Sequence, residues 1–182
     1  EIFRAQRVPS KSGSLRCYIQ RKGSEFEIEK SVADAKRCEI DYGVFSPSVW
    51  KPMEYTIEHV RSAADKYFGT KKSDQIVGYG SSIGATTLIY SLELGQYLTA
   101  LIDDDPYRQG LESPGFAIPT VDKDKVFSES RKTNYCVVLA PRYVSQIVAN
   151  NRIACESGVI FSRIWPVLEE ITYKTWNGVT ET

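Results

Sequence analysis

The stretch GYGSSIG at residues 78–84 is the first part of the sequence whose residue types could bind a ligand. It follows a short apolar run and precedes residues with helical spacing. Glycine permits a tight turn and lets a ligand approach the backbone, and a helix N-terminus offers free N–H groups to an anion. Ser81 and Ser82 add hydroxyl donors. The stretch indicates a site for a nucleotide or a sugar nucleotide; a glycine turn that serves only strand–helix packing is the alternative.

Three consecutive aspartates, Asp103 to Asp105, stand before Pro106 at the end of the next predicted strand. Asp103 could accept a hydrogen bond from a ribose hydroxyl, as the acidic residue of a dinucleotide site does. Three carboxylates also suggest Mg²⁺, but neighbouring residues at a strand end point in different directions and rarely bind one ion together. We therefore predict a turn with one inward-pointing, hydrogen-bonding aspartate, and no metal site.

A third segment, Ala140-Pro141-Arg142, ends another apolar strand and joins the same predicted rim. Arg142 could contact a phosphate or could be a solvated surface charge, and the sequence favours neither. The chain contains no HExxH or P-loop lysine, and His59 is its only histidine. We therefore predict no catalytic residue within this chain.

An alternation of strands and helices would bring these three segments together. We predict strands at residues 75–79, 98–102, 135–140 and 158–161, with helices after the first and third. Either Ser81 or Ser82 can cap the first of these helices. Continuous apolar strands separated by amphipathic helices predict a Rossmann-like three-layer α/β domain with a mostly parallel sheet. Ligands of such sheets bind at the carboxyl ends of the strands, where all three segments lie.

The part of the chain before this sheet has a different pattern. A strand is predicted at residues 14–20, and two helices follow it. Their apolar positions are Ile28, Val32 and Ala35 in the first helix, and Trp50, Met53, Ile57, Val60, Ala64 and Tyr67 in the second. We predict that the two helices form a helical hairpin, with an amphipathic helix that binds a partner as the alternative.

Composition narrows the class of protein further. The 182 residues include 42% hydrophobic residues, and 23 basic side chains balance 23 acidic ones. A balanced charge gives no reason to expect binding to nucleic acid or to an acidic membrane surface. The four cysteines are too far apart for a zinc site, and no signal-peptide pattern or long apolar run is present. We expect a cytoplasmic protein with reduced thiols and, from its abrupt start, a piece of a longer chain.

Three longer segments resemble one known family. IVGYGSSIGATTLIYSL, LIDDDPYRQGLESPGFAIPTV and YCVVLAPRYVSQIV resemble the C-terminal domain of S-adenosylmethionine-dependent sugar C-methyltransferases. The string DDxPxxQGxxxPGxxIP is the most specific part, and SGSLRCYI resembles the segment that closes the family's middle domain. The resemblance covers roughly residues 8 to 165.

The resemblance implies an architecture and a reaction. Family members act on nucleotide-linked keto-sugars: they remove a proton beside the keto group and transfer a methyl group to the resulting enolate. The family's zinc-binding domain and its S-adenosylmethionine-binding domain, which hold the catalytic residues, would precede this chain. The C-terminal domain helps to form the nucleotide-sugar cleft, so the implied partners are that sugar and the missing S-adenosylmethionine-binding domain.

The resemblance also implies site residues and a division of the chain. The implied domains are an end strand of the preceding methyltransferase domain at 1–24, a helical hairpin at 25–70, a Rossmann-like domain at 71–172 and a loose tail at 173–182. The predicted nucleotide-binding residues are Gly78, Tyr79, Gly80, Ser81, Ser82, Asp103, Asp104, Pro106, Gln109, Gly110, Pro114, Gly115, Pro141 and Arg142.

Two departures from the family leave other functions open. Gly84 stands where the family often has a lysine, and KSGSLR replaces a segment that carries a histidine in the family. A nicotinamide-dependent oxidoreductase domain is one alternative, because Gly78, Gly80 and Asp103 also suit a dinucleotide site. A non-catalytic interaction domain with a vestigial cleft is the other.

Overall fold

The first 54 residues form a small unit around a β-hairpin. The computed structural model describes residues 1–10, 13–72, 75–128 and 133–171 and divides the chain into two compact units, Glu1–Glu54 and Tyr55–Thr182. In the first unit, strands β1 (Ile2–Val8) and β2 (Ser14–Ile19) pair in antiparallel fashion. The predicted strand at 14–20 is therefore β2, and its partner is β1, a strand that sequence patterning missed.

Two helices follow the hairpin. Helix α1 spans Lys30–Tyr42 and ends at Gly43, whose φ of 82° is the left-handed conformation that glycine favours at a helix end. A short 3-10 helix at Pro47–Trp50 leads into α2, Lys51–Phe68. Ile28, predicted on the face of the first helix, lies before α1 and is exposed. It cannot share that face because the helix has not yet begun.

The two predicted helices exist, but their buried residues belong to different units. Val32 of α1 is buried in the first unit, whereas Val60, Ala64 and Phe68 of α2 are buried in the second. Trp50 and Met53, predicted for the buried face of the second helix, are exposed. The division at 24/25, 70/71 and 172/173 stays a prediction, and the tail at 173–182 lies outside the described residues.

A six-stranded sheet organises the second unit. Its strands are β3 (Ile76–Tyr79), β4 (Leu101–Ile102), β5 (Thr120–Val121), β6 (Tyr135–Val138), β7 (Ile160–Arg163) and β8 (Glu169–Ile171). They lie in the order β5-β4-β3-β6-β7-β8, with all neighbours parallel except β7 and β8. Counted within this sheet, the order is third, second, first, fourth, fifth, sixth, which is the Rossmann order.

Helices cover both faces of the sheet. They are α2, α3 (Ile83–Ser91), α4 (Lys123–Phe127), α5 (Val144–Asn150) and α6 (Arg152–Glu156), with 3-10 turns at Leu94–Gln96 and Pro141–Tyr143. Alternate residues of β3 enter different apolar clusters: Ile76 packs in the cluster that contains α2 and α3 residues, and Val77 in the one that contains α5 and α6 residues. This alternation produces three layers and confirms the predicted Rossmann-like α/β fold.

The strand bounds differ from the predicted ones for local reasons. The run predicted at 98–102 pairs only at Leu101–Ile102, and the run predicted at 158–161 pairs at Ile160–Arg163 because Gly158, at φ 98°, turns the chain first. Strands β5 and β8 were not predicted. They have two and three residues, and β8 contains two exposed glutamates, so neither shows an apolar run.

Candidate functional site

A cleft opens at the carboxyl ends of the central strands. Its volume is about 280 Å³, and it lies where the connections from β3 and β6 run to opposite sides, the switch point at which Rossmann sheets bind ligands. The cleft is lined by Tyr79, Gly80, Ser82, Asp103, Asp104, Arg108, Ala140, Tyr143, Gln146, Ile147 and Asn150. All three sequence segments that suggested ligand binding contribute at least one of these residues.

The glycines of the GYGSSIG stretch have different roles. Gly78 is buried within β3, where an added Cβ would lie 2.6 Å from Cδ1 of Leu139 and 2.8 Å from Cδ2 of Leu101. Gly80 lines the cleft with φ 111°, and its N–H donates to the carbonyl of Ile102 at 2.7 Å. Gly78 therefore permits close packing, and Gly80 makes the turn that shapes the cleft.

The two serines of the stretch also separate. Ser82 is the N-cap of α3, and its Oγ accepts a bond from the N–H of Ala85 at 3.4 Å. Ser81 instead donates twice to Oδ2 of Asp103, from its N–H at 2.8 Å and from its hydroxyl at 2.7 Å. The hydroxyl of Ser81 is thus committed to a neighbouring strand end, and only Ser82 lines the cleft.

Asp103 is the hydrogen-bonding centre of the site. Its side chain is buried, and besides the Ser81 bonds it accepts from Nη1 of Arg108 at 3.0 Å and from the N–H of Asp105 at 3.0 Å. Burial alone raises the pKa of this carboxyl, but these hydrogen bonds outweigh burial, and the pKa is lowered overall. The predicted inward-pointing aspartate is therefore Asp103, an ionised group whose partners come from its own chain.

Asp104 is held differently, by a chain of polar groups from β3 and from the residue that follows α5. The hydroxyl of Tyr79 donates to Oδ1 of Asp104 at 2.8 Å, and Nδ2 of Asn151 donates to that hydroxyl at 3.3 Å. Nδ2 of Asn151 also donates to the carbonyl of Ile147 at 2.7 Å. Burial raises the pKa of Tyr79, and the Asp104 carboxylate raises it further against the opposing effect of Asn151. Tyr79 thus stays protonated and orients the Asp104 carboxylate.

The rest of the aspartate loop supports the site without lining it. Gln109 donates from Nε2 to the carbonyl of Asp103 at 3.0 Å and to Oδ2 of Asp122 at 3.2 Å. Gly110 donates its N–H to the carbonyl of Thr120 at 2.8 Å. Pro106 lies in the exposed turn between these contacts. Three of the predicted binding residues thus belong to the loop's own framework.

Pro114 and Gly115 lie against α3 and not in the cleft. The carbonyl of Pro114 accepts a bond from the Tyr90 hydroxyl at 3.3 Å, and Gly115, at φ 79°, packs directly on that ring. Pro141 and Arg142 form a 3-10 turn after β6, and the exposed Arg142 side chain is not among the lining residues. The structure therefore brings together only part of the predicted set.

Several lining residues escaped the sequence prediction. Arg108 is the one basic side chain among the described residues that line the cleft, and it lies five residues after the Asp103 with which it pairs. Tyr143, Gln146, Ile147 and Asn150 are spaced as one face of a helix, i, i+3, i+4 and i+7. That spacing is visible in the sequence once the cleft is known to lie against α5.

Within the described part of the chain, no group of three histidine, cysteine, aspartate or glutamate side chains is placed to hold a metal ion. The same residues include no helix long and apolar enough to span a membrane.

The chain was compared with protein families, curated proteins and solved structures. The sequence profile described as "C-methyltransferase C-terminal domain" matches residues 9–166. A search of curated proteins gave no significant match. Among solved structures, UDP-D-quinovosamine 4-dehydrogenase from Vibrio fischeri is similar over 57% of this chain and 97% of that chain, at 14% sequence identity and a TM-score of 0.41. The profile match includes every residue that lines the cleft.

Proposed function

We propose a function from the premise that this chain belongs to the C-methyltransferase C-terminal domain family, as its match over residues 9–166 shows. The chain is the C-terminal domain of an S-adenosylmethionine-dependent sugar C-methyltransferase. It contributes one wall of the cleft that binds a nucleotide-linked sugar. It does not transfer methyl groups by itself.

The observation that carries this proposal is the cleft at the switch point of the sheet. Its lining combines carboxylates, amides, a hydroxyl and the half-exposed ring of Tyr143, which are groups that recognise sugar hydroxyls and a flat ring system. The described residues that line the cleft include no histidine or cysteine, and their two carboxylates accept hydrogen bonds from Ser81, Arg108 and Tyr79. Such a set suits binding and orientation of a substrate better than proton removal from it.

The surface of the first unit supports a partner domain. Val32 is the only hydrophobic residue that is buried among the described residues of this unit. Seven large apolar side chains are more than half exposed there: Ile19, Phe26, Ile28, Ile40, Tyr42, Phe45 and Met53. Apolar side chains grouped on so small a unit indicate a surface that another domain covers. We assign that domain to the S-adenosylmethionine-binding part of the enzyme.

The cleft of this chain is also poorly suited to bind the methyl donor. The N–H of Ser81 at the glycine turn is already bonded to the Asp103 carboxylate, and Asp104 adds a second negative charge nearby. This arrangement does not suit the carboxylate of the donor's methionine part, which would meet like charges. We therefore place the main site of S-adenosylmethionine in the partner domain.

A nicotinamide-dependent oxidoreductase domain is the second candidate, because the strand order is that of dinucleotide-binding sheets. The hydrogen bonds that Asp103 already accepts argue against an oxidoreductase. In a dinucleotide site the acidic residue at this strand end receives ribose hydroxyls, whereas here Ser81 and Arg108 already donate to Asp103.

Calorimetric titration of the chain with NADH, NADPH, S-adenosylmethionine, dTDP and a dTDP-linked sugar tests the proposal. We expect the nucleotide sugar to bind and the nicotinamide nucleotides not to bind. Tyr143→Ala should weaken sugar-nucleotide binding because this ring lines the cleft. Tyr107→Ala is the matched control, since Tyr107 is 90% exposed and does not line it.

Each alternative result has a distinct meaning. Methyl transfer by this chain alone, with S-adenosylmethionine and a keto-sugar nucleotide, would show that the domain is self-sufficient and the proposal wrong. Tight NADH binding would favour the oxidoreductase. Failure of every nucleotide to raise the melting temperature would favour a vestigial cleft, because a ligand that binds only the native state must stabilise it.

A further inference from the structure

The charges of the cleft do not favour a diphosphate. Among the described lining residues the charged side chains are Asp103, Asp104 and Arg108. Arg108 contacts Asp103 at 3.0 Å and also Asp105, whose Oδ2 lies 3.6 Å from its Nε. One guanidinium therefore serves two carboxylates, and Asp104 remains as an uncompensated negative charge. A pyrophosphate group placed here would be repelled by it.

The glycine turn already holds an anion of the chain's own. In many nucleotide sites the backbone N–H groups of such a turn receive a phosphate. Here the N–H of Ser81, directly before the N-cap of α3, donates to Oδ2 of Asp103 at 2.8 Å. Gly84 supplies no positive side chain at the start of α3, so this position offers no cation to offset the two carboxylates.

Asp104 is prepared to accept hydrogen bonds from a ligand. Tyr79 fixes its Oδ1, and Oδ2 has no donor among the described residues. An ionised carboxylate has about four acceptor sites, so most of its capacity faces the cleft. Tyr79 is held in turn by Asn151, a buried residue anchored on α5. The carboxylate is therefore oriented before any ligand arrives.

From these contacts we propose that the cleft binds an uncharged, hydroxyl-bearing sugar ring of the substrate through Asp104, and that the diphosphate lies outside it. Neighbouring hydroxyls of the sugar donate to the Asp104 carboxylate, while the amides of Gln146 and Asn150 on the opposite wall complete the polar lining. The cleft volume of about 280 Å³ lies at the small end of ligand sites, which suits one ring and not a whole sugar nucleotide. The inference rests on the proposed function and specifies which part of the substrate this domain holds.

Asp104→Asn should change binding in opposite directions, depending on whether the cleft holds a sugar ring or the diphosphate. If Asp104 accepts sugar hydroxyls, the variant should bind UDP-glucose, used as a probe, about tenfold more weakly, because a charged acceptor is lost. If the cleft instead holds the diphosphate, removal of a repelling carboxylate should tighten binding. Glu112→Gln is the control, since it removes the same charge from an exposed residue that does not line the cleft.

The experiment is a set of NMR titrations of the full chain with UDP-glucose, uridine, methyl α-D-glucopyranoside and inorganic pyrophosphate. We expect UDP-glucose to shift resonances of cleft residues, one of the two uncharged probes to shift the same resonances, and pyrophosphate to shift none. A response to uridine alone assigns the ribosyl ring to the cleft, and a response to the glucoside alone assigns the hexosyl ring.

Two results would overturn the inference, and they differ in what they say of the proposed function. Binding of UDP-glucose and pyrophosphate that Asp104→Asn strengthens would refute the role of Asp104 and leave the proposed function standing. Absence of a response to all four probes, from a chain that the NMR spectrum shows to be folded, would contradict both. Tyr79→Phe is the positioning variant. It should weaken binding of the uncharged probe and leave the melting temperature within a few degrees, because the Asp104 side chain loses the hydroxyl that orients it.

Discussion

At the residue scale, the adjacent Asp103 and Asp104 have different roles because they have different hydrogen-bond partners. Asp103 is buried and receives bonds from Ser81, Asp105 and Arg108, whereas Asp104 is exposed to the cleft and bonded to Tyr79. The first stabilises the junction of β3 and β4, and the second is free to meet a ligand. Substitution of Asp103 should therefore mainly affect stability, and substitution of Asp104 should mainly affect ligand binding.

Asp103→Asn should lower the free energy of unfolding by about 2 kcal/mol at neutral pH, because several hydrogen bonds to a charged acceptor are weakened. The folded-state pKa of Asp103 lies below its ordinary value of 3.8. Its stabilising contribution is therefore complete above that value and is lost as the pH falls through the lowered pKa. Urea unfolding from pH ~7 down to pH ~3 should show the gap between wild type and variant narrowing below pH ~4.

Glu112→Gln provides the reference for this measurement. It removes one carboxylate from an exposed position, so its unfolding free energy should follow that of the wild type at every pH. A gap for Asp103→Asn that widened on acidification would contradict the lowered pKa.

Gly78 and Gly84 offer a matched pair of substitutions. Gly78→Ala would place a Cβ 2.6 Å from Leu139, so it should destabilise the protein by about 1–3 kcal/mol through overpacking. Gly84→Ala lies in α3 with its nearest neighbour, Oγ of Ser82, 3.7 Å away, and should stabilise by about 0.5–1 kcal/mol. Thermal unfolding of both variants checks the two signs, and equal effects would refute the packing role of Gly78.

At the element scale, the buried face of α2 packs in the core of the sheet. Val60, Ala64 and Phe68 lie at i, i+4 and i+8 and are almost completely buried in the cluster formed with β3 and α3. The pairing of the two helices as a helical hairpin stays a prediction. Apolar spacing predicts that a face is buried but does not say against which element.

Phe68→Ala should cost about 3–5 kcal/mol of unfolding free energy, because it removes a fully buried aromatic ring from the core of the second unit. Tyr55→Ala, in the same helix, should change that free energy by less than about 0.5 kcal/mol, since Tyr55 is 73% exposed. Chemical denaturation of both variants measures the difference. A small effect at Phe68 would contradict the assignment of α2 to this core.

At the scale of the whole molecule, the two units differ in their capacity to fold alone. Both apolar clusters consist of residues from 57 onward, and the first unit buries only Val32 among its described hydrophobic residues. Small units with so little apolar core rarely overcome the entropy of ordering their chain.

Separate expression of two pieces tests this difference. Residues 43–171 should unfold cooperatively and still bind a sugar nucleotide, because they contain α2, the sheet and the whole cleft. Residues 1–54 should lack a cooperative transition by circular dichroism. A stable, cooperative first unit would contradict the view that its exposed apolar side chains require a partner domain.

Periodicity alone was sufficient for the class of fold. Apolar runs at β3 and β6, with helical spacing after each, determine a covered parallel sheet because that pattern reflects which faces of each segment are buried. Strands β1, β5 and β8 were missed. β5 and β8 are too short to show an apolar pattern of their own. β1 is held as a strand by its antiparallel hydrogen bonds to β2, which its own residues do not reveal.

The contacts within the site were even less predictable from the sequence than the short strands. The sequence by itself determined the turn at Gly80, the acidic loop and their common place at the carboxyl ends of the strands, because these follow from local backbone chemistry. Only the tertiary structure decided that Ser81 and Arg108 take up Asp103, that Tyr79 and Asn151 orient Asp104, and that α5 forms the opposite wall. These partners lie up to 72 positions apart in the chain, so their contacts exist only once the strands are ordered side by side.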